Sequence, residues 1–305
     1  MKGKNAALLK RIWKTKELYF FLLPLIAFYI TFKYVPIYGL QMAFRDFSPL
    51  LGFWRSPWIG FVNFRLFFTG GSWIMVVRNT LIISVTSLVI GFPAPVILAL
   101  MLHHTDNRKF KRTVQMVTYA PHFISTVVLV GMMYTLFSPS SGVVNFMLQR
   151  LGFSSVFFMG RPEYFVPMYV GSGIWQGAGW SAVVYIAALS GVSPELHESA
   201  IIDGATKFQR ILHVDIPSIL PAIITMFLLS VGHLFSVGFD KVFLMQNPLN
   251  LSASEVISVL IYKRGLLGPN QSYAAAIGFM ESTINLFFLV LFNRIAKIVS
   301  GTGLW

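Results

Sequence analysis

The stretch Glu198–Pro217, ESAIIDGATKFQRILHVDIP, is a polar segment that lies between two strongly apolar runs and carries its own helix signals. Just upstream, Ser193 can cap a helix whose first residue is Pro194, a position where the missing N–H costs nothing. We expect this helix to run through Asp203 and to end at Gly204, because glycine readily takes the left-handed conformation of a C-terminal turn.

A second short helix is predicted directly after the glycine. Residues 206–209, TKFQ, have the spacing of a capping box. Phe208, Ile211 and Leu212 then fall on one helix face, at i, i+3 and i+4. The sequence therefore predicts a bent helical hairpin over 193–217 at a membrane surface. Its acidic first arm and apolar second arm suit a groove on another protein.

The hairpin resembles the EAA loop of ATP-binding-cassette importer permeases. That family pattern is E-A-A, three residues, glycine, nine residues and then I-x-L-P, and the spacing here matches. The departures are small: Ser199 replaces alanine, Val214 replaces isoleucine and Ile216 replaces leucine. The resemblance implies contact with a separate ATPase. The residues that it assigns to this contact are Glu198, Ser199, Ala200, Asp203, Gly204 and Phe208.

The composition indicates a membrane protein. Of the 305 residues, 55% are hydrophobic and only 11% are charged, whereas a soluble domain carries roughly 25% charged residues. The length suits an all-α bundle of about six spanning helices. The net charge of +13 does not indicate a nucleic-acid partner here, because the basic residues flank apolar runs. The absence of cysteine excludes a disulfide framework and a thiolate metal site.

Apolar runs define the domain organisation. A basic tail at 1–17 is expected to lie in the cytoplasm against anionic lipid. The first run is long and no small-residue cleavage site follows it, so we interpret it as an uncleaved span and not as a signal peptide. The transmembrane domain covers 18–298, and 299–305 form a second cytoplasmic tail. The predicted spans lie near 18–40, 73–102, 113–137, 164–190, 218–239 and 272–298.

The charge of the short loops predicts the orientation. The basic tail, the loop at 103–112, the hairpin and the C-terminus fall on one side of the membrane. Together they hold more than half of the 24 lysines and arginines. By the positive-inside rule this side is cytoplasmic. The hairpin is therefore expected in the cytoplasm, where ATP is, together with both termini.

No catalytic arrangement is found in the sequence. It has neither a G-x-x-x-x-G-K-[ST] phosphate loop nor an H-E-x-x-H motif. The six histidines are scattered, and His103 and His104 lie in a basic loop, so we predict no catalytic residue and no metal site. An ion-coupled secondary transporter, the main alternative, usually has acidic residues at mid-membrane. Only Glu281 fits, and a structural role is favoured for it, so the energy source is expected outside this chain.

Candidate residues of the solute pathway come from the fourth and fifth predicted spans. Gln176 and Trp180 share a stripe of the fourth span with two glycines, and Ser230 and His233 share a face of the fifth. An amide, an indole and an imidazole suit sugar hydroxyls and apolar sugar faces. Helix packing is the alternative explanation and is favoured for the glycines. For Gln176, Trp180 and His233 both interpretations stay open.

Beyond the hairpin, the resemblance covers nearly the whole chain. The segments FDKVFLMQNPLN, SEVISVLIYKRGL, SYAAAIGF and NRIAK, and the GLW ending, resemble carbohydrate-uptake permeases, most of all those associated with oligosaccharides from complex polysaccharides. The resemblance implies a type I importer fold in a bacterial inner membrane. It also implies a second similar permease, identical or not, two ATP-binding subunits and an extracytoplasmic solute-binding protein.

The resemblance places the cofactors, ATP and Mg, on the partner ATPase and none on this chain. It does not identify the sugar. A non-sugar solute such as an amino acid, a peptide or a metal chelate stays open, as does a scaffold that holds a regulatory ATPase without transporting a solute.

Overall fold

Long apolar runs form helices because backbone surrounded by lipid must satisfy its own hydrogen bonds. The computed structural model describes residues 15–305, and no β-strand occurs among them. Most of the predicted basic tail, 1–14, lies outside the described residues. The helices are α1 (Lys16–Phe44), α2 (Gly52–Arg55), α3 (Val62–Thr69), α4 (Trp73–His103), α5 (Arg108–Phe123), α6 (Thr126–Leu136), α7 (Val143–Arg150), α8 (Pro162–Ser190), α9 (Pro194–Ile202), α10 (Lys207–Val231), α11 (Phe239–Met245), α12 (Leu251–Ser254), α13 (Ile257–Gly265) and α14 (Gln271–Ser300).

Four helices in the described part of the chain are long and apolar enough to cross a membrane, namely α1, α4, α10 and α14. The pair α5 and α6 gives a fifth candidate if its two bent halves form one span. Helix α8 has 29 residues but is not in this apolar set. Its bounds nevertheless lie close to those of the fourth predicted span.

Helix α8 is polar for its length because protein surrounds it. It packs against α4, α5 and α10. Ala182, Tyr185 and Leu189 of α8 form a buried cluster with Leu100 of α4 and Ile219 of α10. A helix enclosed in this way does not need an apolar surface on every side. Hydropathy alone therefore underestimates the part that α8 plays in the bundle.

The region of the third predicted span, 113–137, is not one straight helix. Helices α5 and α6 meet at an angle of 102°. Pro121 lies in the last, 3₁₀-helical turn of α5, and Ile124 is extended. The Ser125 side chain accepts a hydrogen bond from the Val128 N–H at 3.3 Å and caps α6. Gln176 of α8 donates to the Ile124 carbonyl at 2.7 Å, which satisfies an acceptor that the break exposes.

The helix in the region of the fifth predicted span, 218–239, has different bounds. Helix α10 begins at Lys207, so the predicted short helix of the hairpin continues into the apolar run without a stop. A π-helical stretch, Ile211–Asp215, precedes Pro217 and lets the helix pass the proline. The helix ends at Val231, and Phe235 of the following turn donates its N–H to Asn285 of α14 at 2.9 Å.

The two ends of α1 differ in their surroundings. Its first part, Lys16–Tyr29, has no buried residue. Its last part, Val35–Phe44, packs on α14, and Phe44 contacts Phe279 with ring centroids 5.8 Å apart. The apolar side chains of the first part are thus not covered by the rest of this chain, whereas the last part packs into the bundle.

Close packing of α8 on α5 gives a test of the fold. A Cβ atom at Gly179 would overlap the backbone carbonyl of Thr118, whereas a Cβ at Gly177 would meet no heavy atom within 4 Å. Overpacking of a tight contact costs about 1–3 kcal/mol. We expect Gly179→Ala to lower the apparent melting temperature of the purified protein in detergent by about 3 °C or more. Gly177→Ala is the matched control, and an equal loss in both variants would contradict this packing.

Candidate functional site

The predicted bend of the hairpin is confirmed. Helix α9 begins at Pro194 and ends at Ile202, and Gly204 has a φ of 79°. The N–H of Ala205 donates to the Ala200 carbonyl at 2.9 Å and closes the turn. Ser193 has the extended backbone of an N-cap residue, but its side chain makes no capping hydrogen bond. The glycine, and not the serine cap, is therefore the local feature that shapes the hairpin.

The predicted capping box at the start of α10 is confirmed as well. The Gln209 N–H donates to the Thr206 hydroxyl at 3.3 Å, and the Thr206 N–H donates to the Gln209 side chain at 2.7 Å. Two backbone donors that a helix start leaves unpaired are thereby satisfied. The capping box therefore sets the start of the second arm at Lys207, directly after Thr206.

The outer surface of the hairpin combines acidic and large apolar side chains. Of the residues assigned to ATPase contact, Glu198, Ser199, Asp203, Gly204 and Phe208 are exposed and Ala200 is half-buried. The exposed fraction is 68% for Phe208 and 85% for Ile202, which the sequence analysis did not single out. Residue Ile201, 54% exposed, extends the same apolar surface. Apolar patches rimmed by polar residues mark interaction sites.

A buried carboxylate fixes the base of the hairpin. The side chain of Asp215 is fully buried, and its Oδ2 lies 2.6 Å from His104 Nε2. Its Oδ1 lies 3.2 Å from His197 Nε2. These contacts link α10 to the end of α4 and to α9. The histidines are scattered in the sequence, but the structure brings His103, His104 and His197 together around Asp215.

Two adjoining cavities lie among α4, α8 and the end of α10. Their volumes are about 310 and 330 Å³, and both are lined by Ser87, Tyr169 and Ser181. Serine hydroxyls predominate among the polar lining groups of the first cavity. No carboxylate lines either cavity among residues 15–305. The shared lining makes the two cavities parts of one polar recess.

The predicted pathway residues divide into two groups. Ser230 and His233 line the first cavity, and Gln176 lines the second. Trp180 does not line these cavities and instead stacks on His122, with ring centroids 4.7 Å apart. Gln176 and Trp180 both contact the break between α5 and α6. Gln176 therefore combines a packing contact with a lining position.

Lys241 is a cavity residue that was not predicted from the sequence. It lies on α11, is 9% exposed and lines the second cavity. Its Nζ donates to the Tyr169 carbonyl at 2.8 Å and lies 4.7 Å from the centroid of the Tyr169 ring. No carboxylate lies within ion-pair distance of Lys241 in the described part of the chain. The position of Lys241, two residues after the fifth predicted span, could have indicated a role near the membrane. It was not predicted as a pathway residue because it falls in a segment expected to be external.

Glu281 has a local structural contact. Its carboxylate accepts a hydrogen bond from the Ser236 hydroxyl at 2.7 Å, and Asn285 donates to the same hydroxyl at 3.0 Å. Both residues of α14 thereby hold the turn that follows α10. Ser236 also lines the first cavity, so this contact positions part of the cavity wall.

A known protein family matches most of this chain. The family is described as "Binding-protein-dependent transport system inner membrane component", and the match covers residues 91–300. The chain belongs to this family. It is a membrane-embedded transport permease and not an enzyme. The matched region contains the hairpin, the Asp215 cluster and most of the residues that line the two cavities.

Curated relatives match the permease over its whole length. Protein LplB of Bacillus subtilis (strain 168) is 35% identical over 99% of this chain and 95% of its own length. The polygalacturonan/rhamnogalacturonan transport system permease protein YteP of the same organism is 34% identical over 100% of this chain and 95% of its own. The similarity to these two relatives therefore extends over nearly all of both chains.

A solved structure has the same fold. It is a bacterial alginate ABC transporter in complex with an alginate pentasaccharide-bound periplasmic protein. The matched chain is 37% identical, with a TM-score of 0.90, and the match covers 97% of this permease and 99% of that chain. The predicted type I ABC importer fold is confirmed by this agreement.

Proposed function

We propose that this permease forms part of the translocation pathway of an ATP-driven, binding-protein-dependent importer of oligosaccharides. The chain pairs with a second permease of similar fold. Two ATP-binding subunits carry ATP and Mg and dock on the cytoplasmic hairpins, and an external binding protein delivers the solute. Both termini lie in the cytoplasm.

The exposed surface of the hairpin is the observation that carries this proposal. Large apolar side chains of α9 and α10, including Ile202 and Phe208, stand in solvent beside the carboxylates of Glu198 and Asp203. Leaving such groups exposed is unfavourable unless a partner covers them. The sequence has no phosphate loop of its own, so an ATP-driven importer needs a separate ATPase. We assign the exposed surface of the hairpin to contact with this ATPase.

The connection of the hairpin to the bundle supports a coupling role. Asp215 joins α10 to α9 and, through His104, to α4. Helices α4 and α10 both border the recess. A displacement of the hairpin by the closing ATPase would therefore move two walls of the recess together. The hairpin and the recess would then be two sites that are coupled through rigid helices.

The recess supports a carbohydrate solute. Hydroxyl groups of serines and Tyr169, with the imidazole of His233, offer donors and acceptors for sugar hydroxyls. One similar protein is a polygalacturonan/rhamnogalacturonan transport permease, and another belongs to an alginate transporter. The main alternative, an ion-coupled secondary transporter, would need an ionisable acidic group in the recess. Glu281 is satisfied by Ser236 and does not line either cavity.

Lys241 favours an oligosaccharide that carries carboxylate groups. A buried ammonium without an ionic partner is costly, and here its one hydrogen bond goes to a backbone carbonyl. A carboxylate of the solute in the second cavity would give Lys241 an anionic partner at the moment of passage. The substrate class that fits this recess is therefore a uronate-containing oligosaccharide.

The energy source distinguishes the proposal from its alternatives. Proteoliposomes with the complete transport complex, internal ATP and the external binding protein should take up labelled oligosaccharide after a protonophore has collapsed the ion gradients. Gly204→Val should lower this uptake at least several-fold at equal protein level, because left-handed backbone costs a β-branched residue about 1–2 kcal/mol. Gly71→Val is the control, since Gly71 is unstrained and equally open.

Uptake that stops with the ion gradient would make the chain a secondary transporter. A stable complex without any uptake would make it a scaffold. Import of amino acids, peptides or metal chelates in place of sugars would contradict the substrate class but leave the ATP-driven mechanism intact.

A substitution of Lys241 tests whether the permease prefers a negatively charged solute. Lys241→Gln should lower uptake of an oligogalacturonide about tenfold or more, because a hydrogen bond to a charged group contributes about 1.5–3 kcal/mol. Uptake of a neutral oligosaccharide of equal length, if the system accepts one, should stay within about twofold. Lys297→Gln, which removes an exposed lysine away from the recess, serves as the control. Equal effects of Lys241→Gln on both solutes would indicate a packing role for the lysine.

A further inference from the structure

The base of the hairpin holds a cluster of side chains to which the transport function assigns no ligand. His103 and His104 lie at the end of α4, His197 lies on α9, and Asp215 lies near the start of α10. The Asp215 side chain is fully buried, and the three histidine side chains are at most 26% exposed. Three separate elements thus converge on one carboxylate.

The two oxygens of Asp215 have different surroundings. Oδ2 lies 2.6 Å from His104 Nε2 and forms a short hydrogen bond. Oδ1 lies 3.2 Å from His197 Nε2 and 3.9 Å from His103 Nε2, but it has no hydrogen-bond partner. Both ring nitrogens of His197 are buried without a partner as well. One carboxylate oxygen and one imidazole therefore face each other with their hydrogen-bonding capacity unused.

Such an arrangement is unfavourable without a further group. A buried carboxylate oxygen and a buried imidazole nitrogen each lose their hydration, and only a bonding partner restores it. Asp215 Oδ1 is an electron-pair donor, and the Nε2 atoms of His103 and His197 are electron-pair donors when the ring proton is on Nδ1. A common partner that suits all three atoms is an electron-pair acceptor located between them.

We propose that His103, His197 and Asp215 form a binding site for a divalent transition metal of the zinc type. One ligand atom from each of the three residues lies within 4.8 Å of the other two. In a tetrahedral site with metal–ligand bonds of about 2.0–2.1 Å, ligand atoms lie about 3.3 Å apart. The separations of 3.2 and 3.9 Å between Asp215 Oδ1 and the two histidines are close to this value. Two imidazoles and a carboxylate suit zinc, cobalt or nickel.

His104 is a positioning residue in this site. Its bond to Asp215 Oδ2 fixes the orientation of the carboxylate and turns Oδ1 toward His103 and His197. Histidine–carboxylate contacts of this kind orient ligands in many metal centres. The fourth coordination position is left to water or to a group from a partner chain.

The metal would connect α9 directly to the ends of α4 and α10. Binding would therefore hold the first arm of the hairpin against the bundle, which goes beyond the transport function proposed above. The connection matters for coupling only if the hairpin docks an ATPase, whereas metal binding itself does not depend on that proposal.

Metal binding is tested on the purified full-length chain in detergent, prepared with a tag that contains no histidine and stripped with a chelator. Co²⁺ serves as the spectroscopic probe and Zn²⁺ as the competitor. We expect one Co²⁺ per chain with the visible absorption of a tetrahedral site, displaced by one equivalent of Zn²⁺. Zn²⁺ should also raise the melting temperature of the chain.

Variants separate the site from adventitious binding. Asp215→Asn and His197→Gln should weaken Co²⁺ binding at least about a hundredfold, and His104→Gln should weaken it about 10–100-fold without removing the spectrum. His213→Gln is the matched control, since His213 lies on the same segment but is exposed and outside the cluster. It should bind as the wild type does. Monodispersity of each variant shows that it is folded.

Two results would overturn the metal site. The first is wild-type protein that binds no stoichiometric Co²⁺ or Zn²⁺. The second is binding that survives Asp215→Asn and His197→Gln unchanged, which would place the metal elsewhere. Neither result bears on ATP-driven uptake, so the transport proposal is tested separately.

Discussion

The buried carboxylate of Asp215 is the constraint on which the proposed coupling between the hairpin and the bundle depends. It belongs to α10 and contacts His104, directly after α4, and His197 of α9. A buried carboxylate that loses its polar neighbours is unfavourable, so these contacts favour one relative position of the three elements. In the coupling that we propose, a force applied to the hairpin passes through this cluster to two helices that border the recess.

The recess itself depends on the composition of α8. Its polar and small residues would be unfavourable toward lipid, but α4, α5 and α10 surround this helix. Gln176 satisfies the carbonyl exposed by the break between α5 and α6 and also lines the recess. The same polar side chains thus permit close packing, a bent neighbour and a wall that can contact a hydrophilic solute. A uniformly apolar helix could not meet these three requirements.

Local signals explain what could be predicted from the sequence. The bend at Gly204 and the capping box at Thr206 depend on residues a few positions apart, and both are present. The break near Pro121 was missed because the apolar run continues through it. The Asp215 cluster could not be predicted, since its histidines come from distant segments that meet only through the packing of helix ends. Lys241 was missed because its contact with Tyr169 of α8 also joins distant segments of the chain.

The central claim is that a cytoplasmic hairpin transmits movement from an ATPase to the bundle. The chain has no cysteine, so Asp203→Cys provides a single thiol at an exposed position of the hairpin. A membrane-impermeant maleimide should label this thiol in inverted membrane vesicles and not in intact cells. A bound ATPase should protect it from the reagent. Labelling of the thiol from the outside of intact cells would contradict the account.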